Sequence, residues 1–192
     1  MKITIIADVY GVANNGTATG CRNLAMRLQE RGHQVTILST FAGEDKTGIK
    51  YIQLPKRKLF GFYKILEKNG VMLAKPIDKK IVEAVADADV VHCLVGFKTS
   101  RAAIPILRQM HKPYTAGFHS QAENVTSHLH CMNSKIINGY IYRRFYRKFY
   151  KNVEFVHTPT QFIADILAEY KFSNRFCVIT NGVNPAFKKI EV

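Results

Sequence analysis

Lys2-Ile-Thr-Ile-Ile-Ala-Asp8 decides the fold of this chain. The apolar and β-branched run ends in an acid and shows no polar alternation, so it reads as a strand buried on both faces. Asp8-Val-Tyr-Gly-Val-Ala-Asn-Asn-Gly16 follows as a loop rich in turn formers. Thr17–Arg31 then sets Ala18, Cys21, Leu24, Ala25 and Leu28 on one helical face, and Gly32 stops it. Gln34–Thr40 is β-branched and apolar again, a second strand.

The alternation continues to the end. Ile49–Leu54 is a third strand, and 56–88 is predicted mostly helical, with breaks near Gly61, Gly70 and Pro76. Asp89–Val95 is a strand, and 99–111 a helix that tolerates Pro105 through a kink or a late start. Pro113–Phe118 is a strand ending at His119. The pairs 133–151 with 155–158 and 161–170 with 175–180 repeat helix and strand. The expectation is an α/β protein, a Rossmann-like parallel sheet of about seven strands with helices on both faces. Ligands of such sheets bind at the carboxyl ends of the strands, so Val9–Gly16, His119–His130 and Asn181-Gly182 share one rim. A strand feeding Asn181-Gly182 usually stands in the middle of such a protein, so a companion lobe is expected to follow.

At 192 residues the chain suits one domain, and 47% apolar content gives it a core. No window is long and apolar enough to span a membrane. Met1-Lys2 leads straight into the first strand without a signal-peptide pattern, which places the protein in the cytoplasm. Cys21, Cys93, Cys131 and Cys177 form no C-x-x-C pair, so reduced thiols are expected rather than disulfides or zinc.

The formal charge of +14 points to phosphates, an anionic membrane or nucleic acid. It is clustered. Lys50 to Lys80 holds nine basic residues against Glu67 and Asp78, and Lys135 to Lys151 holds six with no acid. Helix 133–151 interleaves cations with aromatics, Arg143, Arg144, Arg147 and Lys148 among them. Its Ile141, Phe145, Lys148 and Phe149 fall on one side, and Arg143, Arg147, Tyr150 and Lys151 toward another. That suits an anionic bilayer interface, a nucleic-acid backbone with stacked bases, or a sheet-packing helix with a solvated basic face. Lys56, Arg57, Lys58, Phe60 and Phe62 repeat the recipe, and two such patches favour surface binding.

Gly11 to Gly16-Thr17 has the spacing of a phosphate-cradling loop but no Lys before the hydroxyl residue, which argues against nucleotide hydrolysis. No G-x-G-x-x-G is present. What survives is a Gly at a helix N-terminus, suited to an anion or to a plain tight turn. His119-Ser-Gln-Ala-Glu123-Asn124-Val-Thr126 groups imidazole, carboxylate, amide and hydroxyls, enough to hold a polyhydroxylated ligand. In a helical segment His119 and Glu123 would share a face and a hydrogen bond. A structural loop capped by Ser120 is the other reading. His128, His130 and Cys131 lack the ligand spacing of a metal site, and His92 reads as a hydrogen-bonded core residue.

Taken in order, these motifs resemble the amino-terminal domain of a GT-B glycosyltransferase of family 4 type. Asn15-Gly16-Thr17 and Arg31-Gly32-His33-Gln-Val-Thr-Ile resemble the family's glycine loop and second strand. Asp89-Val-Val-His92 resembles its fourth strand, Thr115–His119 its strand-end histidine, and Val178-Ile-Thr-Asn181-Gly182-Val183 its hinge turn. The first glycine of the pair is Asn15 here, and Leu94 replaces a second histidine. The resemblance implies His119 as the residue that hydrogen-bonds the transferred sugar. It implies donor or acceptor contacts from Asn15, Gly16, Thr17, Glu123, Asn124, Asn181 and Gly182. It implies no cofactor and no metal, with a nucleotide-sugar as substrate. The partners implied are that nucleotide-sugar, a lipid or glycan acceptor, an anionic membrane surface and the protein's own carboxyl-terminal domain; nucleic acid is not among them.

The His119–Thr126 run and the basic helix are most similar to members that glycosylate membrane lipids such as diacylglycerol. The expected function is the amino-terminal, acceptor-side domain (1–192) of a retaining glycosyltransferase, peripheral on the inner face of the membrane. By itself this domain is expected to bind nucleotide weakly and turn nothing over. A basic nucleic-acid-binding module and a non-catalytic Rossmann-like scaffold are the competing readings.

Overall fold

The computed structural model describes residues 1–10, 16–41, 47–57, 73–127 and 131–182. The described elements run β1 (Lys2–Ala7), α1 (Gly16–Glu30), β2 (Gln34–Ser39), β3 (Lys50–Gln53) and α2 (Asp78–Val85). Then come β4 (Val90–Cys93), α3 (Lys98–Gln109), β5 (Tyr114–Gly117), the short α4 (Ala122–Ser127) and α5 (Lys135–Lys148). A 3-10 turn (Tyr150–Asn152), β6 (Phe155–Thr158), α6 (Gln161–Glu169) and β7 (Arg175–Val178) complete them.

The seven strands form one sheet in the order β3-β2-β1-β4-β5-β6-β7, parallel throughout. Burial follows position in it. Ile3–Ala7 of β1, flanked by β2 and β4, are all buried, whereas the edge strand β7 has no fully buried residue. Parallel strands near the middle of a sheet are covered on both faces, which is why β1 reads as a continuous apolar run.

Two cores lie on the two faces. Ile3, Ile5 and Ile37 pack with Cys21 and Ala25 of α1. Ile6, Leu38, Val91 and Ala116 pack with Ile81 of α2, Leu107 of α3, Tyr142 of α5 and Leu167 of α6. Each large side chain so buried contributes about 1.5–3 kcal/mol.

Three helices end in one device. Gly32 (φ 82), His111 (φ 50) and Lys171 (φ 62) adopt the left-handed conformation after α1, α3 and α6. The next amide donates back to the carbonyls of Leu28 (3.1 Å), Leu107 (2.9 Å) and Leu167 (3.0 Å). This satisfies carbonyls left over at the helix end and turns the chain into β2, β5 and β7.

Two local expectations change. Lys56 and Ala74 form an antiparallel bridge, so the predicted helix does not include those positions, and α2 begins at Asp78. Residues 58–72, with the candidates Lys58, Phe60 and Phe62, lie outside the described residues. Helix 133–151 instead stops at Lys148, and the 3-10 turn folds Tyr150 into the core at 3% exposure, not onto the basic side.

Candidate active site

The carboxyl ends of β1, β4, β5, β6 and β7 place their following residues along one rim. At β1, Asp8 is buried and its carboxylate accepts from the amide of Thr99 (3.3 Å) and from the Thr99 hydroxyl. A carboxylate in the first turn of α3 satisfies a free N–H at the positive end of the helix dipole. Its second oxygen has no partner, and burial pushes the carboxyl up to about 6 against Thr99, Ser100 and Arg101. Asp8 is thus a fastener between β1 and α3.

Gly16 opens α1, which has no acid in its first turn, so the start of the helix meets no competing anion from its own residues. Thr17 donates from its hydroxyl to the carbonyl of His119 (3.5 Å), which draws the start of α1 to the end of β5. His119 precedes α4 rather than standing on it, and Glu123 accepts instead from the Tyr142 hydroxyl (2.6 Å). Thr126 donates to Asn138 Oδ1 (2.8 Å), so α4 is clamped twice onto α5. Asn124 is exposed.

The His119 ring lies over Gly117. A Cβ built at Gly117 would stand 2.7 Å from His119 Cδ2 and Nε2 and 2.8 Å from the Leu94 carbonyl oxygen. Absence of a side chain at 117 therefore makes room for the imidazole. His157, in register with Gly117, meets the same ring at 5.2 Å between centroids. Burial first, then His157, lowers His119 to about 4, so the ring is neutral near pH 7 and acts as hydrogen-bond donor and acceptor. His157 Nε2 donates to the Ile179 carbonyl (2.7 Å), just before Asn181 and Gly182 (φ 74), both exposed.

Thr17, His119, His157 and Ile179 thus link the α1 start to the β7 turn. Of the sequence candidates, Gly16, Thr17, His119, Asn181 and Gly182 share this rim. Asn15 lies outside the described residues, as do His128 and His130. His157 was not anticipated; its signal is an imidazole one strand over from the Tyr114–Gly117 strand, visible only once the register is known.

His92 is a third imidazole here. Its Nδ1 meets Thr115 Oγ1 (2.9 Å) and its Nε2 is inaccessible with no partner. The ring nitrogens of His92, His119 and His157 lie within 4.8 Å of one another, the group of described residues best placed to hold a metal.

The basic helix divides cleanly. Tyr142, Phe149 and Tyr150 are core, with Phe145 and Tyr146 packed against them. Arg143, Arg144, Arg147 and Lys148 are exposed, and so are Lys56 and, half-buried, Arg57. An apolar stripe precedes the arginines: Met132, Ile136 and Tyr140, with Ile136 83% exposed. Among the described residues no helix is long and apolar enough to cross a membrane.

Comparison with known proteins fits this arrangement. The profile described as Glycosyltransferase Family 4 matches residues 14–187. The chain is 26% identical over its full length to an alpha-monoglucosyldiacylglycerol synthase of Streptococcus pneumoniae, covering 43% of that protein. It is 22% identical to a protein of the same description from Acholeplasma laidlawii, over 96% of the chain and 47% of the relative. Among solved structures, WaaG, a glycosyltransferase involved in lipopolysaccharide biosynthesis, superposes with a TM-score of 0.56 at 16% identity, over 95% of the chain and 46% of WaaG. The chain spans less than half the length of the curated relatives it matches.

Proposed function

The chain belongs to glycosyltransferase family 4, and from that premise we propose that it forms the acceptor-side part of a retaining transferase. The reaction moves a sugar, glucose by analogy with the relatives' names, from a nucleoside-diphosphate sugar to a membrane lipid of the diacylglycerol class. The observation that carries this reading is the convergence of the α1 N-terminus and the neutral His119 on one rim, joined through Thr17.

Each part has a physical role. The α1 N-terminus at Gly16 offers the positive end of a helix dipole to diphosphate oxygens as negative charge develops on the leaving group. His119 orients a sugar hydroxyl without adding charge, and holding donor and acceptor in line supplies much of the rate. No protein nucleophile is required. Asn181-Gly182, at the exit of β7, lies on the same rim.

The acceptor reading draws on α5. Arg143, Arg144, Arg147 and Lys148 attract anionic headgroups, each contributing about 1 kcal/mol near the surface. Met132, Ile136 and Tyr140 enter the interface beside them. Because α4 is clamped onto α5 through Glu123–Tyr142 and Thr126–Asn138, membrane docking holds the rim segment 119–127 at the bilayer.

The test is transfer to diacylglycerol in anionic vesicles by the protein as its gene encodes it, across a panel of nucleoside-diphosphate sugars. Glycolipid should form with retained configuration and fall at least a hundredfold in His119→Ala. Transfer that ignores this substitution, or no transfer with any donor, refutes the reading. Flotation with anionic and neutral vesicles, beside a DNA gel shift at matched salt, tests the surface; tight DNA retention without lipid dependence would favour a nucleic-acid module.

A further inference from the structure

We propose that His92, His119 and His157 together form a binding site for a divalent transition-metal ion of the Zn2+ class. His92 of β4, His157 of β6 and His119, two residues past the end of β5, meet beside the rim. Their candidate ligand nitrogens lie within 4.8 Å of one another. Nitrogen donors about 2.0–2.1 Å from a tetrahedral ion stand roughly 3.3 Å apart. Side-chain movements of up to about 1.5 Å close that difference.

The hydrogen bonds around the cluster already prepare it. A carbonyl can only accept, so His157 carries its proton on Nε2, toward Ile179, and keeps a lone pair on Nδ1. His92 meets the Thr115 hydroxyl through Nδ1 (2.9 Å), leaving Nε2 as the ligand atom, and this is the buried nitrogen with no partner. Outward N–H bonds to oxygen acceptors are the arrangement that orients metal-ligating histidines.

The donor set selects the ion. Three nitrogens and no carboxylate suit Zn2+, Co2+ or Ni2+ and disfavour Mg2+ and Ca2+. Three protein ligands leave a fourth position open to water or a hydroxyl. If His119 contacts the sugar as proposed above, a bound ion withdraws it and inhibits transfer; that consequence rests on the transfer reading, whereas binding does not.

Chelator-stripped full-length chain is titrated with Co2+ by visible absorption and with Zn2+ by calorimetry. One equivalent should bind, Zn2+ should displace Co2+, and equimolar Mg2+ should not. His92→Gln and His157→Gln should each weaken binding at least tenfold, and Thr115→Val, which spares every ligand, about tenfold. Circular dichroism confirms that each variant folds. A His128→Asn/His130→Asn double variant should bind normally. Displacement by Mg2+, binding that survives His157→Gln and Thr115→Val, or binding lost in the His128/His130 variant overturns the site. One-equivalent binding with the stated losses supports it whether or not transfer responds.

Discussion

Gly117→Ala tests whether the His119 ring owes its place to a missing side chain. The new Cβ would meet His119 Cδ2 and Nε2 at 2.7 Å and the Leu94 carbonyl at 2.8 Å. Carbon contacts are comfortable near 3.5–4.0 Å, so each overlap is about an ångström. The strand has little freedom to retreat, since β5 is paired with β4 on one side and β6 on the other. Overpacking of this kind costs about 1–3 kcal/mol, a fall in Tm of roughly 2–12 °C for a chain of this size. Two of the three overlaps vanish in a His119→Ala background. A double-mutant cycle by urea unfolding should therefore return a coupling of about 1–2 kcal/mol, with the Leu94 overlap left as the residual cost. In the intact ring background, transfer to diacylglycerol should drop nearly as far as in His119→Ala. Additive stabilities, within about 0.3 kcal/mol, together with undiminished transfer, would refute the seating of His119 over Gly117.

Asp8 should make stability fall with rising pH. Its folded value is raised to about 6 from 3.8, so its contribution is full below pH 3.8 and is lost as pH climbs to 6. About two pH units at 1.36 kcal/mol each give roughly 3 kcal/mol. Buried His92 and His119 impose an opposite trend, so the Asp8 effect is read as a difference: relative to Asp8→Asn, the wild type should lose that amount in urea unfolding between pH 4 and 7. Ile136→Asp with Tyr140→Ser should change Tm little, because both side chains are exposed, yet abolish flotation with anionic vesicles. Replacing Arg143, Arg144 and Arg147 by Ala should weaken vesicle partitioning by about 3 kcal/mol, over a hundredfold; unchanged flotation would remove α5 from the docking surface. Tyr142→Phe deletes the hydroxyl that Glu123 accepts from and should cost about 1.5–3 kcal/mol in urea unfolding.

The scaffold was legible because its signals are local. Buried runs such as Ile3–Ala7 announce central strands, and Gly32 marks the end of α1 where the backbone turns left-handed. Positions Lys56 and Ala74 were not, since a helical count runs through both while they pair with each other across a bridge. The rim followed from topology, but its membership did not. His157 is 38 residues from His119, and only the β5–β6 register brings the rings together. Glu123 was paired with His119 in sequence because nothing near it reveals that Tyr142, a helix away, donates to its carboxylate. For the aromatics on α5 the sequence left surface binding and sheet packing both open. Composition cannot say which of them a sheet will swallow, and Tyr142 and Phe149 went inside while Ile136 stayed out.

The left-handed residues closing α1, α3 and α6 all sit where strands begin, at the pole opposite the rim. Two of the three, His111 and Lys171, hold a side chain in a conformation that disfavours one by on the order of 1 kcal/mol. Glycine at either position would relax that strain without reaching the imidazoles or the α1 amides. Ruggedness and reactivity therefore reside at separate ends of this sheet, and each can be tuned while the other is left alone.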